Sequence, residues 1–154
     1  MLDSERLKGV EIFSFLRPEQ VDKISSAAAV IKLKLGECVY EKGAKATHFF
    51  IVLKGEIELL YAIKEDMMVP IDELTAGVMF GSCACFDMDA YFLTAKSTTD
   101  SEVLKIETKV LRKLFEEDSR VGYVIQKRIS EVYFKRYIAA MKNLREVVYN
   151  LSSN

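Results

Sequence analysis

The thiol and imidazole side chains of this chain are its most reactive groups. They are the three cysteines, Cys38, Cys83 and Cys85, and the single histidine, His48. Thiolates and imidazole are ligands that zinc, haem iron and iron–sulfur clusters accept. However, a C-x-C pair is a weak metal signature, and small buried hydrophobic side chains explain the cysteines more simply. The sequence therefore predicts no metal site, although thiols at a helix N-terminus would have a lowered pKa and be sensitive to oxidation.

The chain lacks the patterns of common enzyme active sites. It contains no G-x-S-x-G, H-E-x-x-H or P-loop motif, and no second histidine that could act as a base for a cysteine. Its acidic clusters, such as Asp87-Met88-Asp89, fall in predicted turns or helix starts, where carboxylates are usually solvated caps. We therefore expect a protein that is not an enzyme.

Length and composition indicate one domain. A chain of 154 residues with 50% hydrophobic residues can bury a core but has no room for a second full domain. Its net charge of −1 argues against broad attraction to nucleic acid or anionic lipid. No apolar segment approaches the roughly 18 residues of a membrane span, and the N-terminus lacks the order of a signal peptide. We expect a cytoplasmic protein with reduced thiols and no membrane contact.

Hydrophobic periodicity divides the chain into three parts. Residues 7–29 predict two short helices around Pro18, whose ring suits the first turn of a helix. From Val30 apolar residues alternate with lysines, and single glycines then separate short β-rich segments. From Ser119 to about Leu151 the pattern is helical, with a length of roughly 45 Å. The predicted fold is α+β: an antiparallel β-roll or jelly-roll (double-stranded β-helix) with N-terminal helices in residues 1–118, and a long helix in residues 119–154.

The predicted long helix carries more apolar side chains than a small β-roll can cover. One stripe drifts around its axis through Val121, Val124, Ile125, Ile129, Val132, Phe134, Tyr137, Ile138, Met141, Leu144, Val148 and Leu151. The lysines and arginines between them leave the stripe mostly clear of charge. We expect residues 121–151 to pair with the same helix of a second copy, and a helix packed wholly on its own domain is the alternative.

Three segments resemble the cyclic-nucleotide-binding domain of the catabolite-activator (Crp/Fnr) type. GVEIFSFLRPEQVDKI is similar to that family's first helices, and GECVYEKGAKATHFFIVLKGEIEL to its first strands. GVMFGSCACF stands where the family has its phosphate cassette. The resemblance extends from about Leu7 to Leu144. It implies a β-roll that holds a cyclic nucleotide and regulates a partner.

The cassette departs from the family pattern at its charged positions. In the family, Phe-Gly-Glu opens a short helix whose backbone N–H groups face the cyclic phosphate. Phe80 and Gly81 match, but Ser82 replaces the glutamate that holds the ribose hydroxyl. Tyr91 and Phe92 stand where the family has an arginine that clamps the phosphate, so that no guanidinium is available there.

The missing contacts weaken the expected binding of a cyclic nucleotide. Each charge-assisted contact is worth about 1.5 to 3 kcal/mol, so the loss of two lowers affinity roughly a hundred-fold to ten-thousand-fold. We therefore expect no tight binding of cyclic AMP or cyclic GMP. The backbone donors of Ser82, Cys83 and Ala84 could still hold a weaker anion, and Tyr91 and Phe92 favour a more apolar ligand. A small anionic or amphipathic molecule is the predicted ligand class, and no cofactor is assigned.

The resemblance also places the middle of the long helix over the ligand. The residues at this position are Tyr133, Arg136 and Tyr137. Arg136 could supply the missing guanidinium, and the alternative is a solvated surface charge.

Two functional hypotheses follow. The first is a ligand-sensing module that changes the angle of paired long helices and acts on a partner protein. The second is an interaction or scaffold protein that binds no ligand. An open, polar pocket at Ser82 and Tyr91 favours the first, and a pocket filled by Tyr91 and Phe92 favours the second. Transcription regulators of this type continue into a helix-turn-helix domain. A complete chain ending at Asn154 would bind no DNA directly, whereas a sensor fragment of a regulator could belong to a DNA-binding protein.

Overall fold

The computed structural model of the chain describes residues 7–153, apart from the side chain of Ala84. Its strands are β1 (Ala28–Leu33), β2 (Cys38–Tyr40), β3 (His48–Lys54), β4 (Ile57–Lys64), β5 (Met67–Leu74), β6 (Met79–Phe80), β7 (Thr94–Ser97) and β8 (Ser101–Glu107). Its helices are α1 (Pro18–Ser26), α2 (Thr108–Glu117) and α3 (Ser119–Ser152), with 3₁₀ turns at Glu11–Phe13 and Ser82–Phe86. The outer ends of the predicted segments 1–118 and 119–154 lie outside the described residues.

The strands form two four-stranded sheets that pack face to face. The strand orders are β1-β8-β3-β6 and β2-β7-β4-β5, and every pairing between these strands is antiparallel. This arrangement confirms the predicted α+β fold, with its antiparallel β-roll, N-terminal helical segment and long C-terminal helix.

Strand β3 is buried on both faces, and it separates the two hydrophobic cores. Phe49 and Ile51 pack with the helices in one core, whereas Phe50 and Val52 pack between the sheets in the other. Successive side chains of a strand point to opposite faces, which explains this division. The uninterrupted apolar segment that begins after His48 is therefore typical of a central strand.

The turn between β3 and β4 requires glycine at position 55. Gly55 has a φ of +81°, and a Cβ atom there would lie 2.3 Å from the Oγ of Ser101 and 2.7 Å from the carbonyl oxygen of Asp100. Both the backbone conformation and the lack of space exclude a larger residue. This turn carries the chain from one sheet of the β-roll to the other.

The long helix α3 begins at an Asp118 cap and leaves the body of the protein after about half its length. Asp118 accepts hydrogen bonds from the backbone N–H groups of Arg120 and Val121. Val121, Ile125 and Ile129 are buried against the core, so the first part of the predicted pairing segment 121–151 packs on its own domain instead of on a second copy. Beyond Arg136 every described side chain of the helix is exposed. In the described part of the chain, no helix combines the length and apolar character that crossing a membrane requires.

Candidate functional site

The segment after β6 forms the tight turn that the sequence pattern predicts, but as a 3₁₀ turn. Gly81 has a φ of +68°, and a Cβ atom there would lie 2.7 Å from the ring of Phe50. Glycine is therefore required for both conformation and space. This turn, which we call the cassette turn, spans only Ser82–Phe86. It therefore lacks the aligned peptide dipoles of a longer helix. Ala84 belongs to this turn, but its side chain is outside the described part of the structure.

Aromatic rings fill the space between the two sheets. Tyr91 is only 4% exposed, and its ring stacks on that of Tyr40 with the centroids 3.8 Å apart and the planes at 15°. Phe50 lies 5.5 Å from the ring of Tyr40 and 5.3 Å from that of Phe80. The interior of the roll, next to the cassette turn, is therefore occupied by the protein's own side chains.

The hydroxyl of Tyr91 is fully used within the protein. It donates to the carbonyl oxygen of His48 at 2.8 Å and accepts from the His48 backbone N–H at 3.1 Å. Burial raises the pKa of Tyr91 and that of Tyr40 above the ordinary value. Both phenols are therefore neutral near pH 7, and the buried polar group of Tyr91 is satisfied without a ligand.

Phe92 lies outside the roll, next to the ring of Tyr61. It is 56% exposed, its ring lies 5.4 Å from that of Tyr61, and the Nζ atom of Lys42 is 5.9 Å from its centroid. Of the two adjacent aromatic residues, only Tyr91 therefore contributes to filling the interior. Lys96 is the cation nearest to Tyr91 and Phe92 in the sequence, and it is exposed on β7.

A hydrogen bond joins the cassette turn to the long helix. Ser82 is fully buried, and its hydroxyl donates to the phenol oxygen of Tyr133 at 2.9 Å. Burial raises the pKa of Tyr133, and the bond from Ser82 offsets part of that increase. The ring of Phe86 lies edge-on to that of Tyr133 at 6.4 Å. The serine that replaces the expected glutamate therefore contacts the protein itself.

Arg136 makes a second connection between the helix and the roll. Its Nε donates to Oδ2 of Asp72 on β5 at 2.7 Å, and its Nη2 donates to the carbonyl oxygen of Met79 at 3.1 Å. The guanidinium carbon is 5.5 Å from the centroid of the Tyr133 ring. Only 14% of the side chain is exposed, so Arg136 is not a solvated surface charge. We call Ser82, Tyr133, Arg136 and Asp72 the helix latch.

The structure brings most of the predicted site residues to one end of the roll. Phe80, Gly81, Ser82, Cys83 and Tyr91 lie at or near the cassette turn, and Tyr133 and Arg136 contact this region from the helix. Tyr137 is exposed one turn further along.

Sequence analysis missed two residues of this region, Tyr40 and Asp72. Asp72 is 64 residues from its partner Arg136, and Tyr40 stacks on a residue that follows several intervening strands. Local periodicity carries no signal for such distant pairs.

The three cysteines lie in different environments. Among the described residues, no three histidine, cysteine, aspartate or glutamate side chains come together as metal ligands. Burial raises the pKa of Cys85 to about 11, which is opposite to the lowered value expected for a thiol at a helix start. Cys38 is exposed and Cys83 is half-buried.

Comparison with known proteins identifies the family. Residues 30–118, more than half of the 154-residue chain, match the family model of the cyclic nucleotide-binding domain. The chain is 23% identical over 136 residues to a cGMP-dependent protein kinase of Eimeria tenella, and this match covers 86% of the chain but only 13% of the kinase.

Solved structures share the fold. One is a Geobacter metallireducens protein assigned to the cyclic nucleotide-binding proteins, with a TM-score of 0.76, 23% identity and coverage of 89% of this chain and 99% of that one. The catabolite activator protein of Thermus thermophilus gives a TM-score of 0.69 and 18% identity, with coverage of 86% and 62% respectively. At these identities the likeness shows the fold alone. The family match and the fold together lead to one conclusion: this chain belongs to the cyclic nucleotide-binding domain family.

Proposed function

We propose that this chain is a regulatory module that signals through its long helix, paired with the same helix of a second copy, and that its roll does not capture cyclic AMP or cyclic GMP tightly. The observation that carries this proposal is an exposed apolar seam on α3. The seam residues alternate at spacings of four and three: Ser130, Phe134, Tyr137, Met141, Leu144, Val148 and Leu151.

The spacing of the seam is typical of a two-helix coiled coil. An average of 3.5 residues keeps a stripe facing a partner helix along a left-handed supercoil. The apolar side chains of the seam are 43% to 75% exposed in the single chain, and none of the seam residues is charged. Burial of these side chains against a second copy favours pairing at about 25 cal/mol per Å².

The filled roll supports the second half of the proposal. A cyclic nucleotide in the interior would have to displace the stacked rings of Tyr40 and Tyr91, and the cassette offers its phosphate no guanidinium. Arg136, the residue that could have replaced the family arginine, is already paired with Asp72. Binding of a cyclic nucleotide is therefore weak, and we propose a different small ligand of more apolar, amphipathic character.

The helix latch supports a link between the roll and the paired helices. Ser82 and Asp72 hold Tyr133 and Arg136, and the seam begins on the same stretch of helix. A change at the cassette that breaks these contacts would alter the helix angle and so reach a partner protein. A reducing compartment such as the cytoplasm fits three free cysteines.

Light scattering on the full chain tests the pairing. We expect a dimer, and we expect Leu144→Glu to shift it to monomer by placing a charge in the seam. Ala139→Glu is the matched control, because Ala139 is exposed on the opposite side of the same helix. A monomeric wild-type protein at high concentration would contradict the proposal, as would equal behaviour of the two variants.

Calorimetric titration with cyclic AMP and cyclic GMP tests whether the roll binds either nucleotide tightly. We expect no binding at submicromolar strength for either nucleotide. A dissociation constant below micromolar for either one would show that the aromatic rings leave the interior on binding, and would overturn this half of the proposal.

A second candidate function is a ligand-free interaction protein, and the filled interior of the roll favours it. In this case the roll is a scaffold for the dimer helix alone. A thermal-shift screen separates the two functions, because a sensed ligand raises the melting temperature by mass action. A scaffold protein would show no shift with any nucleotide or metabolite.

A further inference from the structure

A groove of about 570 Å³ lies between the cassette turn and the long helix. Phe86, Met88 and Phe92 form its wall on the roll, and Tyr133, Phe134 and Tyr137 form its wall on the helix. The groove is separate from the interior of the roll, which Tyr40 and Tyr91 fill. Its volume lies in the range of small-molecule sites.

The described lining of the groove is largely apolar. Among the residues that the structure describes, no lysine, arginine, aspartate or glutamate lines it. Phe86 and Met88 are 47% and 48% exposed, and Phe134 and Tyr137 are more exposed still. Large apolar side chains that converge on one concave surface are typical of a binding site. A phosphate would find no counter-charge here, and transferring it from water would be costly.

The groove continues into the proposed coiled-coil seam. Phe134 and Tyr137 are seam residues, so a paired second copy would cover the helix side of the groove. Phe86, Met88 and Phe92 lie on the roll and not on the helix. Contact between the two helices along the seam alone would therefore leave this wall of the groove uncovered. Pairing would then convert the open groove into a more enclosed apolar chamber.

We infer that this groove binds an uncharged, largely apolar small molecule. The inference rests on the proposed regulatory function and names the ligand class of the module. Tyr133 belongs both to the groove and to the helix latch. A ligand that packs on the Tyr133 ring would therefore bias the contact that positions the helix.

The neutral fluorophore N-phenyl-1-naphthylamine tests the inference on the full chain, with the oligomeric state followed by light scattering. We expect saturable binding of one probe per chain. Met88→Glu should weaken it by about tenfold or more, because it places a carboxylate in the groove. Met68→Glu is the matched control, since Met68 is equally exposed, at 47%, but lies on β5.

Alkylation of the cysteines by N-ethylmaleimide gives a second measurement. Cys83 lines the groove and is half-buried, whereas Cys38 is exposed elsewhere. Bound probe should slow the modification of Cys83 and leave that of Cys38 unchanged, as read by peptide mass spectrometry. Equal protection of the two thiols would place the probe elsewhere and overturn the inference.

The outcomes distinguish the ligand site from the proposed pairing. A dimer that binds no probe would overturn this inference and leave the pairing intact. A monomer that binds the probe with sensitivity to Met88→Glu would support the groove and contradict the pairing. Equal effects of Met88→Glu and Met68→Glu would overturn the inference.

Discussion

Tyr133 on the long helix accepts a hydrogen bond from the fully buried hydroxyl of Ser82 at 2.9 Å, across 51 residues of sequence. Ser82 stands at the position where the family pattern has a ligand-holding glutamate. The serine is too short to reach far from the turn, and it is used to hold the helix. The cassette therefore has a structural role in this chain that does not depend on a ligand.

Replacing Tyr133 by phenylalanine should destabilise the protein by about 1 to 3 kcal/mol, because the buried Ser82 hydroxyl loses its partner. Urea unfolding measures the change. Tyr123→Phe is the matched control, since Tyr123 is 67% exposed on the same helix, and it should have little effect. Equal stability of the two variants would show that the Ser82 bond contributes nothing.

Arg136 and Asp72 should show a coupling of about 1 to 2 kcal/mol in a double-mutant cycle of Arg136→Met and Asp72→Asn. The Nε atom of Arg136 lies 2.7 Å from Oδ2 of Asp72, and the arginine side chain is shielded from solvent. The exposed pair of Lys34 and Asp100 at the same distance is the control, and we expect no measurable coupling there. Additive effects of the two substitutions would mean that the helix does not depend on this pair.

The sequence predicted the elements but not the contacts between them. The start of the long helix at Ser119 and the glycine turns at 55 and 81 follow from local periodicity and backbone conformation. The stacking of Tyr40 on Tyr91 and the pairing of Arg136 with Asp72 depend on how distant strands and the helix pack. Tyr91 and Phe92 have the same chemistry in sequence, and only the fold places one inside and the other outside.

Replacing Tyr91 by alanine should destabilise the protein by about 3 to 5 kcal/mol, since it leaves a cavity in the packed roll and removes both hydrogen bonds to His48. Tyr91→Phe keeps the ring and should cost about 1 to 3 kcal/mol, from the unpaired His48 backbone groups. Urea unfolding of both variants checks the order. If Tyr91→Ala lowered the free energy of unfolding by less than Tyr91→Phe does, the ring would not be packed against Tyr40.

The Asp118 cap of the long helix should make stability depend on pH in acid. Hydrogen bonds from the backbone, the one from Val121 foremost, hold the pKa of Asp118 below the ordinary value of 3.8. The unfolded state therefore binds the proton first, so that the stabilisation is fully present above pH 3.8 and is lost as the pH falls through the lower, folded-state pKa.

Asp118→Asn isolates this effect, because asparagine also caps helices but does not titrate. Urea midpoints for the wild type and Asp118→Asn should differ near neutral pH by an amount that shrinks as the pH falls from 4.5 toward 2.5, a range chosen to bracket the ordinary aspartate pKa. A difference that stays constant over this range would rule out the charge of Asp118 as the source of stabilisation.

We predict that the paired helices are parallel, and the seam offers a position at which this can be tested. In a parallel pair each seam position meets its own counterpart, so cysteines introduced at Val148 would lie side by side near the C-terminal ends. In a chain with Cys38→Ser, Val148→Cys should form an intermolecular disulfide under mild oxidation, whereas Tyr149→Cys, which lies off the seam and is 70% exposed, should form little. Non-reducing gel electrophoresis reads the result.

An antiparallel pair would place position 148 opposite the beginning of the seam, at about residue 134, and neither variant would then cross-link efficiently. Efficient cross-linking of both variants would indicate random collision and remove the support for a defined seam.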